Sequence, residues 1–318
     1  MGSSTKQFSV RESFGIDVPP EITVTGNAEA NSFVPAVDQT YRFGRENLSD
    51  VLAWLQHGDQ DALYLSGPTG SGKSSLICQI AARLNIPVQR VTAHSRLEVP
   101  ELIGHHTVVD GDMVYVDGPL TTAMRYGHIF LLDEIDLLDP ATAAGMNGIV
   151  EGGPLVIPEN GGEVVTPHPQ FRFVATGNTA GAGDRSGLYQ GALRQNLAFM
   201  DRFWMVVVGY PDPVQEGKIL EAAVPSLPQP IREKMIEVAN TVRKLFMGEG
   251  DGDGNSIEVT MSTRTLIRWA YLTNFFKGLR AQGVNPISHA LDRALALKAS
   301  PETRQALHEI VQREMGDQ

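Results

Sequence analysis

The chain has 318 residues, 42% of them hydrophobic and 20% charged, with a formal net charge of −11 and a pI near 5.2. That length suffices for a core in one large or two smaller domains, and the acidic balance lacks the broad basic footprint that non-specific nucleic-acid binding needs. The single cysteine, Cys78, excludes an internal disulfide. No apolar stretch is long enough to span a bilayer, and the polar Met1–Val10 has no signal-peptide core, so a cytoplasmic protein is expected.

Residues 1–40 are rich in Pro, Gly, Asn and Ser and predict an irregular arm, partly packed on the body. A short helix is expected at Leu48–Leu55. Ala62–Ser66 is a compact apolar strand running straight into a glycine-rich loop. Lys73–Leu84 predicts a helix with Leu76, Ile77, Ile80, Ala81 and Leu84 on one face. Further strands are expected at Val88–Thr92, Ile129–Asp133, Phe171–Thr176 and Trp204–Gly209, and a helix from Asp139 or Pro140 to about Val150. Strands alternating with helices predict an α/β fold with a parallel sheet covered on both faces. Two hairpins interrupt the alternation: Thr107–Val116, turning at Asp110-Gly111-Asp112, and Pro154–Val165, turning through Pro158–Gly162. After Pro213 the strands stop, and helices are expected around 214–223, 229–247, 262–280, 286–298 and 301–315. The expected division is an arm over 1–40, an α/β core over 41–211 and a helical domain over 212–318.

Gly67-Pro68-Thr69-Gly70-Ser71-Gly72-Lys73-Ser74 matches G-x-x-x-x-G-K-[ST] at every fixed position, after a strand and before a helix. Gly67, Gly70 and Gly72 can adopt backbone angles that aim N–H groups inward with no Cβ in the way of phosphates. The helix start near Lys73 adds its positive end, with Ser75 in the same first turn. Lys73 would meet the β- and γ-phosphates of ATP, and the Ser74 hydroxyl would ligate Mg²⁺. A glycine turn that only connects strand to helix is the bland alternative, disfavoured because motif and context agree. Ile129–Leu132 then delivers Asp133 and Glu134 at a strand's C-terminal end, where ligands bind in open α/β sheets. Asp133 would hold Mg²⁺ through water, and Glu134 would act as general base towards water. Phe171–Asn178 ends in a neutral amide, Asn178, suited to orienting water or sensing the γ-phosphate, although Asn is also a good turn residue. Asp136 and Asp139 read as helix-start residues. Asp251–Ser256 looks like a calcium loop but has Ser256 where Gly is required, so a flexible acidic turn is expected. His105-His106 reads as solvated. Trp54 and Trp269 read as packing residues, and Cys78 as buried and inert.

These three elements, in this order, resemble the AAA+ family, and the two hairpin insertions resemble its MoxR branch. Ser9–Asp17, Val34–Phe43, Gly183–Gly191 and Met200-Asp201-Arg202-Phe203 are similar to the ATPase subunits of aerobic cobaltochelatases, a likeness that covers about 8–212 well and the helical end less specifically. The resemblance implies a P-loop NTPase (AAA+) fold with a helical lid, and a ring, usually a hexamer, with ATP between neighbours. It places Arg202 as an arginine finger reaching an adjacent subunit's γ-phosphate, with Arg194, expected earlier on the same helix, as the rival. Local pairing of Arg202 with Asp201 or Asp184 is the bland alternative. Ser262-Thr263-Arg264-Thr265 resembles the segment that supplies a second sensor arginine. Ser262 or Thr263 can cap that helix, leaving Arg264 in its first turn, where a cation opposes the helix dipole. The implied function is an ATPase motor subunit that does no metal chemistry itself. Its implied partners are a larger chelatase subunit and a von Willebrand A domain protein, with cobalt insertion as the output. The alternatives are a MoxR-type chaperone acting with a von Willebrand A partner on another client, and a nucleotide-dependent scaffold without turnover. The presence of Glu134, Asn178 and Arg202 together argues against the scaffold.

Overall fold

A computed structural model of the chain describes residues 4–58, 61–184, 189, 191–248 and 257–316. The N-terminal segment pairs β1 (Thr5–Ser9) antiparallel with β2 (Thr23–Asn27), with α1 (Val10–Phe14) between them. Residues 1–40 are thus not simply the irregular arm that their composition predicts. Val10, Phe14 and Val24 are buried in the same core as Trp54 and Ile80, and Phe14 meets Phe43 edge-on at 5.1 Å. A few well-spaced apolar side chains suffice to order a segment whose average composition is polar.

Next come α2 (Arg45–His57), β3 (Ala62–Ser66), α3 (Lys73–Arg83), β4 (Val88–Thr92) and α4 (Val99–Ile103). The first hairpin is β5 (Gly104–Val109) and β6 (Asp112–Asp117), and after it come α5 (Pro119–Tyr126) and β7 (Ile129–Asp133). The hairpin closes on two residues at positive φ, Asp110 (53°) and Gly111 (94°), the geometry that suits the strand twist. The expected helix from Asp139 to Val150 is two short ones, α6 (Pro140–Ala144) and α7 (Asn147–Val150). Gly145 ends α6 and Gly148 weakens α7, an effect of glycine in a helix interior that outweighs the continuing pattern. Then come the second hairpin, β8 (Leu155–Ile157) and β9 (Glu163–Val165), and β10 (Arg172–Gly177), α8 (Leu197–Met200) and β11 (Phe203–Val207). From α5, Arg125 pairs with Asp117 at 2.9 Å and Glu163 at 2.8 Å, one contact on each hairpin.

The central sheet has five parallel strands in the order β11-β3-β10-β7-β4. β3 and β7 are buried along their whole length because helices cover both faces. Side chains alternate between two cores: Tyr64, Phe130 and Leu132 pack on one face, and Leu63, Leu65 and Leu131 on the other with Ile77, Ile80 and Trp54. Register pairs Gly177 with Ser66 and Ala175 with Leu132, so the C-terminal ends of β3, β7 and β10 lie together.

The chain forms two compact units. One comprises Met1–Gln39, Phe43–Pro68 and Gly72–Gly209; the other Thr40–Arg42, Thr69–Ser71 and Tyr210–Gln318. The second contains α9 (Pro213–Ala223), α10 (Gln229–Phe246), α11 (Thr263–Phe275), α12 (Pro286–Ala294) and α13 (Pro301–Met315). Asp212, Ser262, Asn285 and Ser300 cap four of these by accepting backbone N–H bonds. Trp269 is fully buried and donates to Ile287 O at 3.0 Å. Deep in this unit Arg243 (5% exposed) donates twice to Glu216 (1% exposed), at 2.8 and 2.7 Å. Its Nε donates to Met261 O at 2.7 Å, and the Thr263 hydroxyl reaches Glu216 at 3.1 Å.

Candidate functional site

The glycine loop leaves β3 at Ser66 and enters α3 at Lys73. Gly67 has φ 150°, and a Cβ there would lie 2.1 Å from Val208 O, so both backbone angle and space demand glycine. Gly70 and Gly72 are also at positive φ, 70° and 99°. Pro68 is half-buried, and Thr69 and Ser75 are exposed. The Ser71 hydroxyl is buried with no hydrogen-bond partner, an orphaned donor inside a cradle suited to an anion. Lys73 is 8% exposed. Its ammonium donates to Gly67 O at 2.7 Å, Pro68 O at 3.0 Å and the Asn178 side-chain oxygen at 3.1 Å. Burial pulls its pKa down to about 8 against the pull of Asp133, Asp136 and Glu134. An ammonium held by neutral carbonyls and an amide is short of anionic partners, which is what polyphosphate would supply.

Asp133 ends β7 beside this loop. Its Oδ1 accepts from the Ser74 hydroxyl at 2.5 Å and from Thr176 Oγ1. Its Oδ2 accepts from Arg90 Nε at 3.2 Å and from Arg90 Nη2. Burial works against the charge, but the bonds from Ser74, Thr176 and Arg90 outweigh it and hold the carboxyl below its ordinary range. Glu134 is exposed at φ 59°, with its backbone N–H donating to Thr176 Oγ1 at 3.1 Å. Among the described residues no group of three or more His, Cys, Asp or Glu is placed to hold a metal ion. Ser74 with Asp133 is the hard-oxygen pair that suits Mg²⁺ when phosphate oxygens and water complete the shell.

Asn178 comes directly after β10. Its backbone N–H donates to Asp136 Oδ2, as does that of Thr179 at 2.9 Å, and Tyr64 donates its phenol to Asp136 Oδ1 at 3.0 Å. Burial, then Asp136, push the Tyr64 phenol far up. Asp136 does stand at a helix start, in the first turn of the short 3-10 helix Ile135–Leu137, but it is also a buried acceptor, 2% exposed, and Asp139 caps α6 through Ala141 N at 2.8 Å. Sequence reasoning does not single out Arg90, Thr176, Tyr64 or Asp136 for the site. The signal available for Thr176 is its place near the end of the strand that leads into Asn178.

Arg202 makes an ion pair with Glu151 at 2.8 Å and donates to Ala198 O within α8, so its local partner is neither Asp201 nor Asp184. Arg194 is exposed and lies before α8, in a bridge with Ala182. The expected shared helix does not exist, because α8 is only four residues long and capped by Asn196. Arg264 is exposed in the first turn of α11, after the Ser262 cap, which accepts from Thr265 N at 3.1 Å. Arg185–Leu188 and Gln190, within the segment Gly183–Gly191, and the acidic stretch Asp251–Ser256 lie outside the described residues.

Residues 62–203 match the AAA domain (dynein-related subfamily), and residues 216–314 match the CbbQ/NirQ/NorQ C-terminal domain. The chain is 34% identical to aerobic cobaltochelatase subunit CobS of a Sinorhizobium species, over 85% of this chain and 81% of that protein. It is 27% identical to protein NorQ of Paracoccus denitrificans, over 75% and 88%. A solved Thermotoga maritima RuvB mutant has the same fold, with TM-score 0.50 and 14% identity over 78% of this chain and 68% of that one. The chain is an ATPase and belongs to the MoxR-type AAA+ family, in the group with CobS and NorQ.

Proposed function

We propose that the chain assembles into a ring, a hexamer, that binds ATP with Mg²⁺ at Gly67–Ser75 and uses hydrolysis to remodel a partner complex. In this reading 41–211 is the catalytic core and 212–318 the lid. The carrying observation is the convergence of Lys73, Ser74, Asp133 and Asn178, joined by bonds of 2.5 to 3.1 Å across the ends of three strands. Lys73 and the loop N–H groups bind the phosphates. Ser74, and Asp133 through water, would hold Mg²⁺, which when bound offsets charge on the phosphate oxygens. Glu134 takes a proton from the attacking water, and Asn178 orients that water. Arg202 of a neighbouring subunit, once it leaves its own Glu151, stabilises charge on the γ-phosphoryl oxygens, and Arg264 acts from the lid as a second anion contact.

The 34% identity with a cobaltochelatase subunit supports a CobS-like role, with a large chelatase subunit and a von Willebrand A protein as partners. The match of 216–314 to the CbbQ/NirQ/NorQ C-terminal domain favours a second reading, a chaperone acting with a von Willebrand A partner on a non-cobalamin client. The experiment is steady-state ATPase and ATP binding of wild type, Lys73→Ala and Glu134→Gln, with affinity purification from the native cell. Lys73→Ala should lose ATP binding, and Glu134→Gln should bind ATP and turn over at least about 100-fold more slowly. Wild-type turnover retained in Glu134→Gln would refute the site. Recovery of a chelatase large subunit supports the first client, and its absence beside a recovered von Willebrand A protein supports the second.

A further inference from the structure

The turn Ile135–Leu137 after β7 carries a carboxylate that the proposed chemistry leaves unused. Asp136 is 2% exposed. Four donors close on it. The backbone N–H groups of Asn178 and Thr179 reach Oδ2, and the hydroxyls of Thr179 (3.1 Å) and Tyr64 (3.0 Å) reach Oδ1. A buried carboxylate needs such a set, but the sources of the donors are informative. Three belong to Asn178 and the residue after it. The fourth comes from β3, the strand that feeds the glycine loop. The turn is itself pinned: Asp136 O accepts from Leu193 N at 2.7 Å, and the buried Gln195 side chain donates to Leu138 O at 3.1 Å. Across this junction the Asn178 side-chain oxygen sits 3.1 Å from the Lys73 ammonium.

We propose that Asp136 is a positioning residue for ATP hydrolysis: it fixes the backbone at Asn178–Thr179 and so keeps the Asn178 amide beside Lys73. The proposal deepens the site described above and rests on Asn178 acting there. Its chemistry predicts which substitutions are tolerated. In Asp136→Asn the amide oxygen can accept both backbone N–H groups, while the NH₂ donates to the Tyr64 and Thr179 hydroxyls, which are free to turn and accept. In Asp136→Ala both N–H groups are left unpaired and the loop is released.

The test is a double-mutant cycle on the full-length assembled protein, with kcat from steady-state ATPase and Kd from titration with Mg·ATP. Asp136→Ala should lower kcat about 30-fold with Kd changed by less than about threefold, and Asp136→Asn should stay within about fivefold of wild type. Asn178→Ala should lower kcat about as far as Asp136→Ala. The double variant should be no slower than Asn178→Ala by more than about threefold, because both changes remove one function. If Asp136→Ala does not fold, Asp136→Ser, which keeps one acceptor, replaces it in the cycle with an expected loss of about tenfold. Multiplying losses in the double variant, or a rise in Kd matching the fall in kcat, would overturn the positioning role while leaving Asn178 in place. An Asn178→Ala variant at wild-type kcat would instead remove the role of Asn178, and this proposal with it.

Discussion

Replacing Arg243 by Met removes a charge from the interior of the helical unit while keeping much of the side chain's volume. Glu216, 1% exposed, then loses both guanidinium bonds and, among the described residues, its carboxylate keeps the Thr263 hydroxyl alone. Stranding one member of a buried pair costs about 3–5 kcal/mol, most of it the penalty of an uncompensated buried carboxylate. The ring of Tyr210, 4.3 Å from the guanidinium, loses its cation as well. At roughly 4 °C per kcal/mol for a unit of this size, the melting transition of that unit should fall by about 15 °C. Differential scanning calorimetry on the full chain reads this directly. The pair Glu216→Leu with Arg243→Met should recover most of the loss, because no charge remains to strand. A single variant costing less than about 1.5 kcal/mol, or a double variant as unstable as the single, would contradict a stranded carboxylate as the source of the loss. Because Arg243 also holds Met261 O and Glu216 holds Thr263, the single variant should disturb the start of α11, where Arg264 sits.

Lys73, with its pKa pulled down to about 8, is mostly neutral above that pH in the free protein. ATP should recharge it, so calorimetry at pH 8.5 in buffers of different ionisation enthalpy should show uptake of roughly three-quarters of a proton, and zero uptake would contradict the assignment. The same lowered value means that the unfolded chain binds more protons between about pH 8 and 10.5, so Lys73 makes the free protein more stable as pH rises through that window. Thr176→Val keeps shape but removes a donor to Asp133 and the acceptor for Glu134 N. It should cost about 2 kcal/mol in urea denaturation and at least tenfold in kcat, and an unchanged kcat would deny the hydroxyl its role. Glu258 accepts from Ser300 N at 2.6 Å and the Thr303 hydroxyl at 2.5 Å, and these bonds draw its carboxyl down to about 2. A lowered carboxyl stabilises above its unfolded value and ceases to do so as pH falls through its folded one. Being exposed, Glu258 should therefore contribute about 1 kcal/mol that fades from pH 4.5 to 2, a dependence absent from Glu258→Gln in acid unfolding curves.

The glycine loop, β3, β7 and β10 are legible in the sequence because each depends on local chemistry: a fixed spacing, or an apolar run bounded by turn residues. The sheet order β11-β3-β10-β7-β4 is not, since pairing brings together segments that are distant in the chain, such as Val174 with Leu63 and Arg90 with Leu131. For the same reason Arg90 cannot be read from its strand. It matters only because β4 lies beside β7 and sets the guanidinium on Asp133. Asp136 looks like a helix-start residue because acids are common there, and only the three-dimensional junction reveals Asn178 and Tyr64 as its donors. The order in the N-terminal arm is hidden because averaging over 1–40 masks Val10, Phe14 and Val24, which are enough to create it. Arg194 and Arg202 read as sharing one helix because an apolar period runs past Asn196, a residue that instead caps α8 and begins it afresh.

In the ring we propose, each ATP site is completed by Arg202 from another copy of the chain. Mixing Arg202→Ala with Lys73→Ala subunits tests it most directly, with native mass spectrometry verifying that both variants share a particle. Each variant alone should be inactive. A mixed particle should regain ATPase at the interfaces that join an intact Lys73 loop to an intact Arg202. No regained activity in a demonstrably mixed particle would contradict a site shared between subunits.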